Sequence, residues 1–278
     1  MIACHLVEVR ATGRKGGAKV GSKLDMSKVV IVIPARYGST RLPGKPLVSL
    51  AGKPMIQRVF ERAKQAKTAG RVIVATDDER IVKAVESFGG EARITRTEHR
   101  TGTERIAEVA AHTDGEVFVN VQGDEPLLDP AAVDTAVNSL LEEPAAAIAT
   151  VAVLIRTPGD IMDPNVVKTV LDFEDNALYF SRAPLPWVRD SAAKTHARHL
   201  KHLGLYVFQR DALLEYPTLP QGELERIEQL SENVLQMNEG TVYTSLLRLQ
   251  QRGGITARWG VSERTIAKQS STPSLSAG

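Results

Sequence analysis

The chain has 278 residues, 24% charged and 42% hydrophobic, with a formal net charge of +2, a balance that gives nucleic acid no electrostatic footprint. Its one cysteine, Cys4, excludes an internal disulfide framework and fits a reducing, cytoplasmic compartment. No apolar run approaches the roughly 20 residues that span a bilayer, and the length suits one large domain or two small ones.

Residues 1–27 read as a flexible basic extension, with Arg10, Arg14, Lys15, Lys19 and Lys23 against Glu8 and Asp25. It has no apolar h-region and is not a secretory signal. A phosphate-binding arm is the sharper alternative. The true start is Met1 or Met26, which stands just before the first strand.

Val29–Ile33 (VVIVI) is β-branched and apolar, the mark of a strand buried on both faces. The loop Pro34–Pro46 (PARYGSTRLPGKP) follows, then a helix from Pro54 to about Lys67 with proline in its first turn. Arg71–Ala75 is a second buried strand. Thr76-Asp77-Asp78 caps a helix over Glu79–Phe88, which Gly89-Gly90 ends. Ala92–Ile94 is a short strand, and Thr101-Gly102-Thr103 opens a helix to about Ala111. Glu116–Val121 is a strand that ends at Gln122-Gly123-Asp124-Glu125-Pro126. Asp129-Pro130 caps a helix to about Leu141, and Ala147–Ile155 is strand-like. This β–α alternation predicts an α/β fold with a mostly parallel sheet.

Further on, Val167–Leu171, the Asp175-Asn176 turn and Ala177–Phe180 read as a hairpin. Arg182–Arg189 is proline-rich and irregular. Lys201–Gln209 is a strand, with a helix from Arg210. Together these form an antiparallel insertion, either a lid or a dimer surface. Another helix begins over Glu223–Leu230, and residues 270–278 read as a disordered tail.

The loop after the first strand concentrates Arg36, Ser39, Arg41 and Lys45. Backbone N–H groups near a helix start favour anions, and arginine matches phosphate geometry bidentately. The spacing is not that of a P-loop. A basic surface turn is the bland reading. It explains poorly a loop wedged between a buried strand and a helix. Asp124, just past another buried strand, is placed to hold Mg²⁺, which takes one or two carboxylates plus substrate phosphates. Its bland reading is a turn-starting aspartate. The loop, Thr76-Asp77 and Gln122–Pro126 share the carboxyl edge of the strands, where ligands bind in such sheets.

Six segments in order carry a resemblance: ARYGSTRLPGKPL, ATDDERI, HRTGTER, VQGDEP, YFSRAPLPW and KHLGLYVF. Over residues 28–230 the chain resembles the 3-deoxy-manno-octulosonate (KDO) cytidylyltransferases. The resemblance implies a Rossmann-like nucleotidyltransferase fold in a cytoplasmic homodimer. It implies that the anomeric hydroxyl of KDO attacks the α-phosphorus of CTP with Mg²⁺, giving CMP-KDO and pyrophosphate for lipopolysaccharide biosynthesis. Arg36, Ser39, Arg41 and Lys45 match the triphosphate grip, and Arg36, Lys45 and Asp124 match the catalytic set. Thr76 and the Thr101–Arg105 segment, with Thr103 and Arg105, would surround the cytidine. Asp124 matches a metal ligand. Gln122, Arg182, His202 and Tyr206 match the region that holds the sugar acid. A surface salt bridge is the bland reading of Arg182, and a strand histidine that of His202.

From Ser231 the sequence leaves that pattern. A GVDTPEDL segment, which carries a second metal-binding aspartate in the family, is missing. Residues 231–269 form a foreign segment instead, of which 234–263 resemble part of a PadR-type winged-helix regulator, with a helix over 241–251 and then wing strands. A DNA-binding regulator with a vestigial nucleotide domain is therefore the second reading. Arg248, Arg252 and Arg258 would be its phosphate contacts. Partial modules rarely bind alone, and nucleic acid is not the expected partner. The loss of the second carboxylate implies a chain that binds CTP but forms CMP-KDO poorly or not at all.

Overall fold

The computed structural model describes residues 5–10, 25–38, 42–142, 146–171, 177–189, 197–218 and 256–260. Strand β1 is His5–Arg10 and β2 is Val29–Ala35. A short hairpin, β3 (Ser49–Leu50) and β4 (Lys53–Pro54), leads into helix α1, Met55–Ala63. The alternation continues through β5 (Arg71–Thr76), α2 (Glu79–Ser87), β6 (Glu91–Ile94), α3 (Gly102–Ala111), β7 (Val117–Asn120), α4 (Pro130–Glu142) and β8 (Ile148–Leu154). After α5 (Pro158–Met162) come β9 (Lys168–Leu171), β10 (Ala177–Ser181), β11 (Leu200–Gln209), α6 (Arg210–Glu215) and β12 (Thr256–Gly260).

Strand β2 is the spine. It pairs in parallel with β5 on one side and β7 on the other. Its residues Val29 to Ile33 have no exposed surface. An apolar strand in that position fills ladders on both edges and buries both faces. The sheet order is β12-β1-β8-β11-β7-β2-β5-β6. Strand β11 runs antiparallel to both β7 and β8 and separates them.

Alternate residues of β2 feed two cores. Val29, Ile31 and Ile33 pack with Ile56, Val59 and Phe60 of α1, Ile81 and Val85 of α2, and Val133 and Val137 of α4. Val30 and Val32 pack with Ile106, Val109 and Ala110 of α3 and Leu213 of α6. Each such side chain contributes about 1.5–3 kcal/mol on burial. The result is three layers, helix–sheet–helix.

The caps follow the sequence. Asp78 accepts from Arg80 N at 2.9 Å, and Thr101 from Glu104 N at 3.1 Å. Gly89 has φ +75°, and Gly90 N returns to Val85 O at 2.9 Å. The β9–β10 hairpin and the strand ending at Gln209 are present as expected.

Some boundaries differ. Helix α1 stops at Ala63 rather than Lys67, because the chain turns so that Thr68 N and Oγ1 reach Asp134 Oδ1 on α4, at 2.8 and 2.9 Å. The stretch 1–27, expected to be flexible throughout, contains β1, which pairs antiparallel with β8. That pairing satisfies the backbone groups along the β8 edge facing away from β11. Strand β12, inside the segment likened to a winged helix, pairs with β1. The helices expected over Glu223–Leu230 and 241–251, and the tail 270–278, lie outside the described residues. No helix among the described residues is long and apolar enough to cross a membrane.

Candidate active site

Strand β2 delivers Arg36 to the carboxyl edge of the sheet. The loop beyond it closes on itself where Gly44 N donates to Tyr37 O at 2.9 Å. Gly44 has φ +71°, and a Cβ there would lie 3.1 Å from the Tyr37 ring. The Arg80 guanidinium lies 3.3 Å from the centroid of that ring, and Asp78 accepts from Arg80 at 2.6 and 2.9 Å. These Arg80 hydrogen bonds hold the Asp78 carboxyl below its ordinary range. A glycine, a cation–π contact and a capping aspartate thus fix the base of the loop. Ser39 and Arg41 lie outside the described residues.

Lys45 points across the rim and donates to Asp124 Oδ2 at 2.5 Å. Asp124 is presented by the turn after β7. Gly123 makes that turn possible: a Cβ there would lie 2.8 Å from Pro34 O, a backbone atom that cannot move aside cheaply.

Between these loops opens a cavity of about 180 Å³, lined by Pro34, Ala35 and Arg36, by the His99–Gly102 turn, and by Arg105 and Gln122. Gln122, Arg36 and Arg105, which the resemblance assigns to sugar acid, triphosphate and cytidine in turn, therefore line one cavity. Arg105 is nearly buried and donates to Asp77 Oδ2 at 2.8 Å and to the Thr95 hydroxyl. His99 bonds to Glu108 through Nε2.

Thr76 and Thr103 do not line this cavity. Thr76 is buried and its hydroxyl accepts from Asp78 N at 3.2 Å. Thr103 is buried, and its hydroxyl has no hydrogen-bond partner among the described residues. Sequence reasoning missed Asp77, Thr95 and Glu108 as supports. The adjacent aspartates of ATDDERI were the available signal: one caps the helix, which leaves the other for Arg105.

A second, mostly apolar cavity of about 290 Å³ lies on the other side of Gln122. Leu128, Val153, Leu203 and Leu205 line it, with Gln122, Glu125, Asp129 and Lys201 as polar groups. Gly204 leaves room for Gln122, since a Cβ there would lie 3.3 Å from Gln122 Cγ. Burial, then the Asp124 charge, pushes the Glu125 carboxyl above its ordinary range.

His202 and Tyr206, matched by the resemblance to the region that holds the sugar acid, are buried on β11. Neither lines either cavity, because both belong to the covered side of β11. His202 is 9% exposed, packs edge-on against Phe180 at 4.8 Å, and bonds to Thr150. Burial pushes its pKa down to about 3 and raises that of the Tyr206 hydroxyl. Arg182 lines neither cavity. It donates to Pro164 O at 2.6 Å, and its own carbonyl accepts from the fully buried Lys168 at 2.8 Å. Lys168 also donates to Asp163 O and Val166 O. His202 N donates to Val167 O at 2.8 Å, so Arg182 and His202 are tied to one short segment.

Among the described residues no cluster of three or more His, Cys, Asp or Glu could hold a metal. A protein-only cage is therefore not built here. A single carboxylate beside Lys45 and Arg36 does fit Mg²⁺ in the form it takes with a nucleotide, where phosphates and water complete the shell.

The sequence model of the family described as cytidylyltransferase matches residues 30–246. That match runs past Leu230 into the segment that departs from the KDO cytidylyltransferase pattern. A 3-deoxy-manno-octulosonate cytidylyltransferase of Solibacter usitatus is 52% identical over 74% of this chain and 81% of its own length. Its counterpart in Geobacter sulfurreducens is 49% identical over 73% and 85%, and that of Escherichia coli 46% over 77% and 85%. A solved structure of CMP:2-keto-3-deoxy-manno-octonic acid synthetase complexed with CTP covers 82% of this chain and 87% of its own, with a TM-score of 0.71 and 43% identity. With the grip loop, the Asp124 turn and the polar cavity on one rim, the chain belongs to the cytidylyltransferase family, alongside the 3-deoxy-manno-octulosonate cytidylyltransferases.

Proposed function

We propose that this chain transfers CMP from CTP to the anomeric hydroxyl of 3-deoxy-D-manno-octulosonate, releasing pyrophosphate. The observation that carries the reading is the shared rim: Arg36, Lys45 and Asp124 stand beside a polar cavity of nucleotide-binding character, in a chain about half identical to named enzymes of this reaction. Such a transfer needs positioning and charge neutralisation more than covalent catalysis.

The cavity holding Arg105 and the Thr101 turn takes the cytidine. Arg36 and Lys45, with Ser39 and Arg41, neutralise the triphosphate. Asp124 would hold Mg²⁺, which when bound would supply charge neutralisation for the triphosphate. Gln122, between the two cavities, orients the sugar acid at the α-phosphorus. Arg182 suits its carboxylate, and His202 and Tyr206 form the covered wall of that end. The attacking hydroxyl loses its proton as the new O–P bond forms, and the α–β phosphoanhydride bond breaks.

The chain works as a homodimer in this reading, with Leu178, Tyr179 and Trp187 of the insertion as exposed apolar contacts. Sedimentation at micromolar concentration tests this, and a monomer would refute it. The decisive assay is pyrophosphate release with CTP, KDO and Mg²⁺. Turnover is expected below the ordinary enzyme range of about 1–10³ s⁻¹, because Asp124 works without the family's second metal aspartate. No release under any condition would remove the assignment, and a rate within that range would show the second carboxylate dispensable.

A further inference from the structure

The guanidiniums of Arg36, Arg100 and Arg105 line the polar cavity. A guanidinium can only donate hydrogen bonds. It suits phosphate and the ring carbonyl of a pyrimidine, but not an exocyclic amino group. A cytosine carries such a group, and the group needs an acceptor. Among the side chains around the cavity, those of Thr101, Gln122 and His99 can accept. The Thr101 hydroxyl is committed to the helix cap, where it accepts from Glu104 N at 3.1 Å. Gln122 is shared with the apolar cavity behind it. His99 remains.

The His99 side chain is 8% exposed, and its Nε2 bonds to Glu108 on α3. Burial alone would raise the Glu108 carboxyl. The hydrogen bonds from His99 and from Arg96 N, with their charges, outweigh burial and hold the group below its ordinary range. An ionised carboxylate only accepts, so the hydrogen sits on Nε2. In a neutral imidazole the other nitrogen then keeps a bare lone pair. Nδ1 has no hydrogen-bond partner among the described residues. Glu108 Oε2 is itself fixed, since Arg96 N donates to it at 3.2 Å. The cavity wall therefore holds an oriented acceptor among its donors.

We propose that Glu108 is a positioning residue that holds His99 as the Nε2–H tautomer, so that His99 Nδ1 accepts from the amino group of a cytosine and the pair selects CTP over UTP. This rests on the cytidine site proposed above. A uracil has an oxygen where cytosine has the amino group, and it would set one lone pair against another. Glu108 never touches the nucleotide, yet it decides what the imidazole asks of the base.

The test compares Glu108→Leu, which keeps the bulk and removes the acceptor, with Glu108→Gln. The amide keeps an acceptor there, because Arg96 N selects its oxygen for that position. Calorimetry on the full chain with Mg²⁺, at about pH 8 where an ordinary imidazole is neutral, gives Kd for CTP and for UTP. The original protein should favour CTP. Glu108→Leu should lower that preference about 3- to 10-fold, one hydrogen bond's worth, through weaker CTP binding, and Glu108→Gln should retain it. His99→Phe should lower it by the same factor, and the double variant Glu108→Leu/His99→Phe by no more. A merely structural role would weaken both nucleotides alike, so an unchanged preference in Glu108→Leu overturns the proposal. A loss confined to His99→Phe keeps His99 at the base and removes Glu108 as its positioner. If the original chain binds neither nucleotide, the cytidine site itself fails, and the proposal with it.

Discussion

Lys45 donates to Asp124 across 2.5 Å and so bridges the loop after β2 to the turn after β7. Both side chains are well exposed, at 38% and 49%, so the pair adds only about 0–1 kcal/mol to stability. Under the proposed reaction Lys45 would serve phosphate and Asp124 a metal, so each side chain is occupied by the other until substrate arrives. Asp124→Asn keeps the size and removes the charge. Pyrophosphate release should fall about 100-fold or more, while calorimetric CTP binding without metal should hold or tighten, because Lys45 is freed. Undiminished turnover would exclude Asp124 as the metal ligand.

Arg105, which lines the polar cavity beside Arg36, is held by Asp77 and Thr95. Asp77→Ala leaves a nearly buried guanidinium without its carboxylate. Breaking such a pair costs about 3–5 kcal/mol, readable as a fall in the urea midpoint. KM for CTP should rise with it. Asp77→Glu, which keeps the charge, should recover part of both, and a silent Asp77→Ala would mean that Arg105 is held by packing alone.

Gly44 and Gly52 separate two costs of the same substitution. Both have positive φ, +71° and +80°. A Cβ on Gly52 meets nothing within 4 Å, whereas one on Gly44 meets the Tyr37 ring. Gly52→Ala should cost only the backbone strain, about 1–2 kcal/mol. Gly44→Ala should cost about 1 kcal/mol more and weaken CTP binding, since Tyr37 anchors the grip loop. Equal midpoints and equal CTP affinity for the two variants would show that the ring moves freely.

His202 gives a pH signature. Its pKa is depressed to about 3 in the folded chain, from 6.5. Between those values the unfolded chain binds a proton that the folded chain does not. Stability is therefore full above pH 6.5 and falls with acidification, by at most about 1.4 kcal/mol per pH unit. Urea midpoints at pH 7, 6 and 5 should show a steeper decline in the original protein than in His202→Asn. Parallel declines would mean that the imidazole is solvated.

Much of the fold was legible because its signals are local. Apolar β-branched runs at Val29, Arg71 and Glu116, capping residues at Asp78 and Thr101, and the Gly89-Gly90 stop each act within a few positions. The placement of β11 between β7 and β8 was not legible, because strand order is decided by pairing across the sheet. The site divides the same way. Arg36, Lys45, Asp124, Gln122 and Arg105 stand at strand ends and helix starts, where the chain itself aims them at the rim. Thr76 and Thr103 have the right address but point into caps and core. The ion pair of Asp77 with Arg105 was not legible, because capping and ion pairing call for the same residue type.

The antiparallel β11 also governs the order of assembly. Residues 117–120 and 148–154 are made well before residues 200–209, yet only the latter join them. A nascent chain that has reached residue 154 therefore carries two open strand edges flanked by apolar side chains, a template for pairing with the wrong chain. Closing a sheet by so distant a segment is slow. The ribosome must release Gln209 before the central sheet can be completed, and the interval before that is when this protein is most exposed to aggregation.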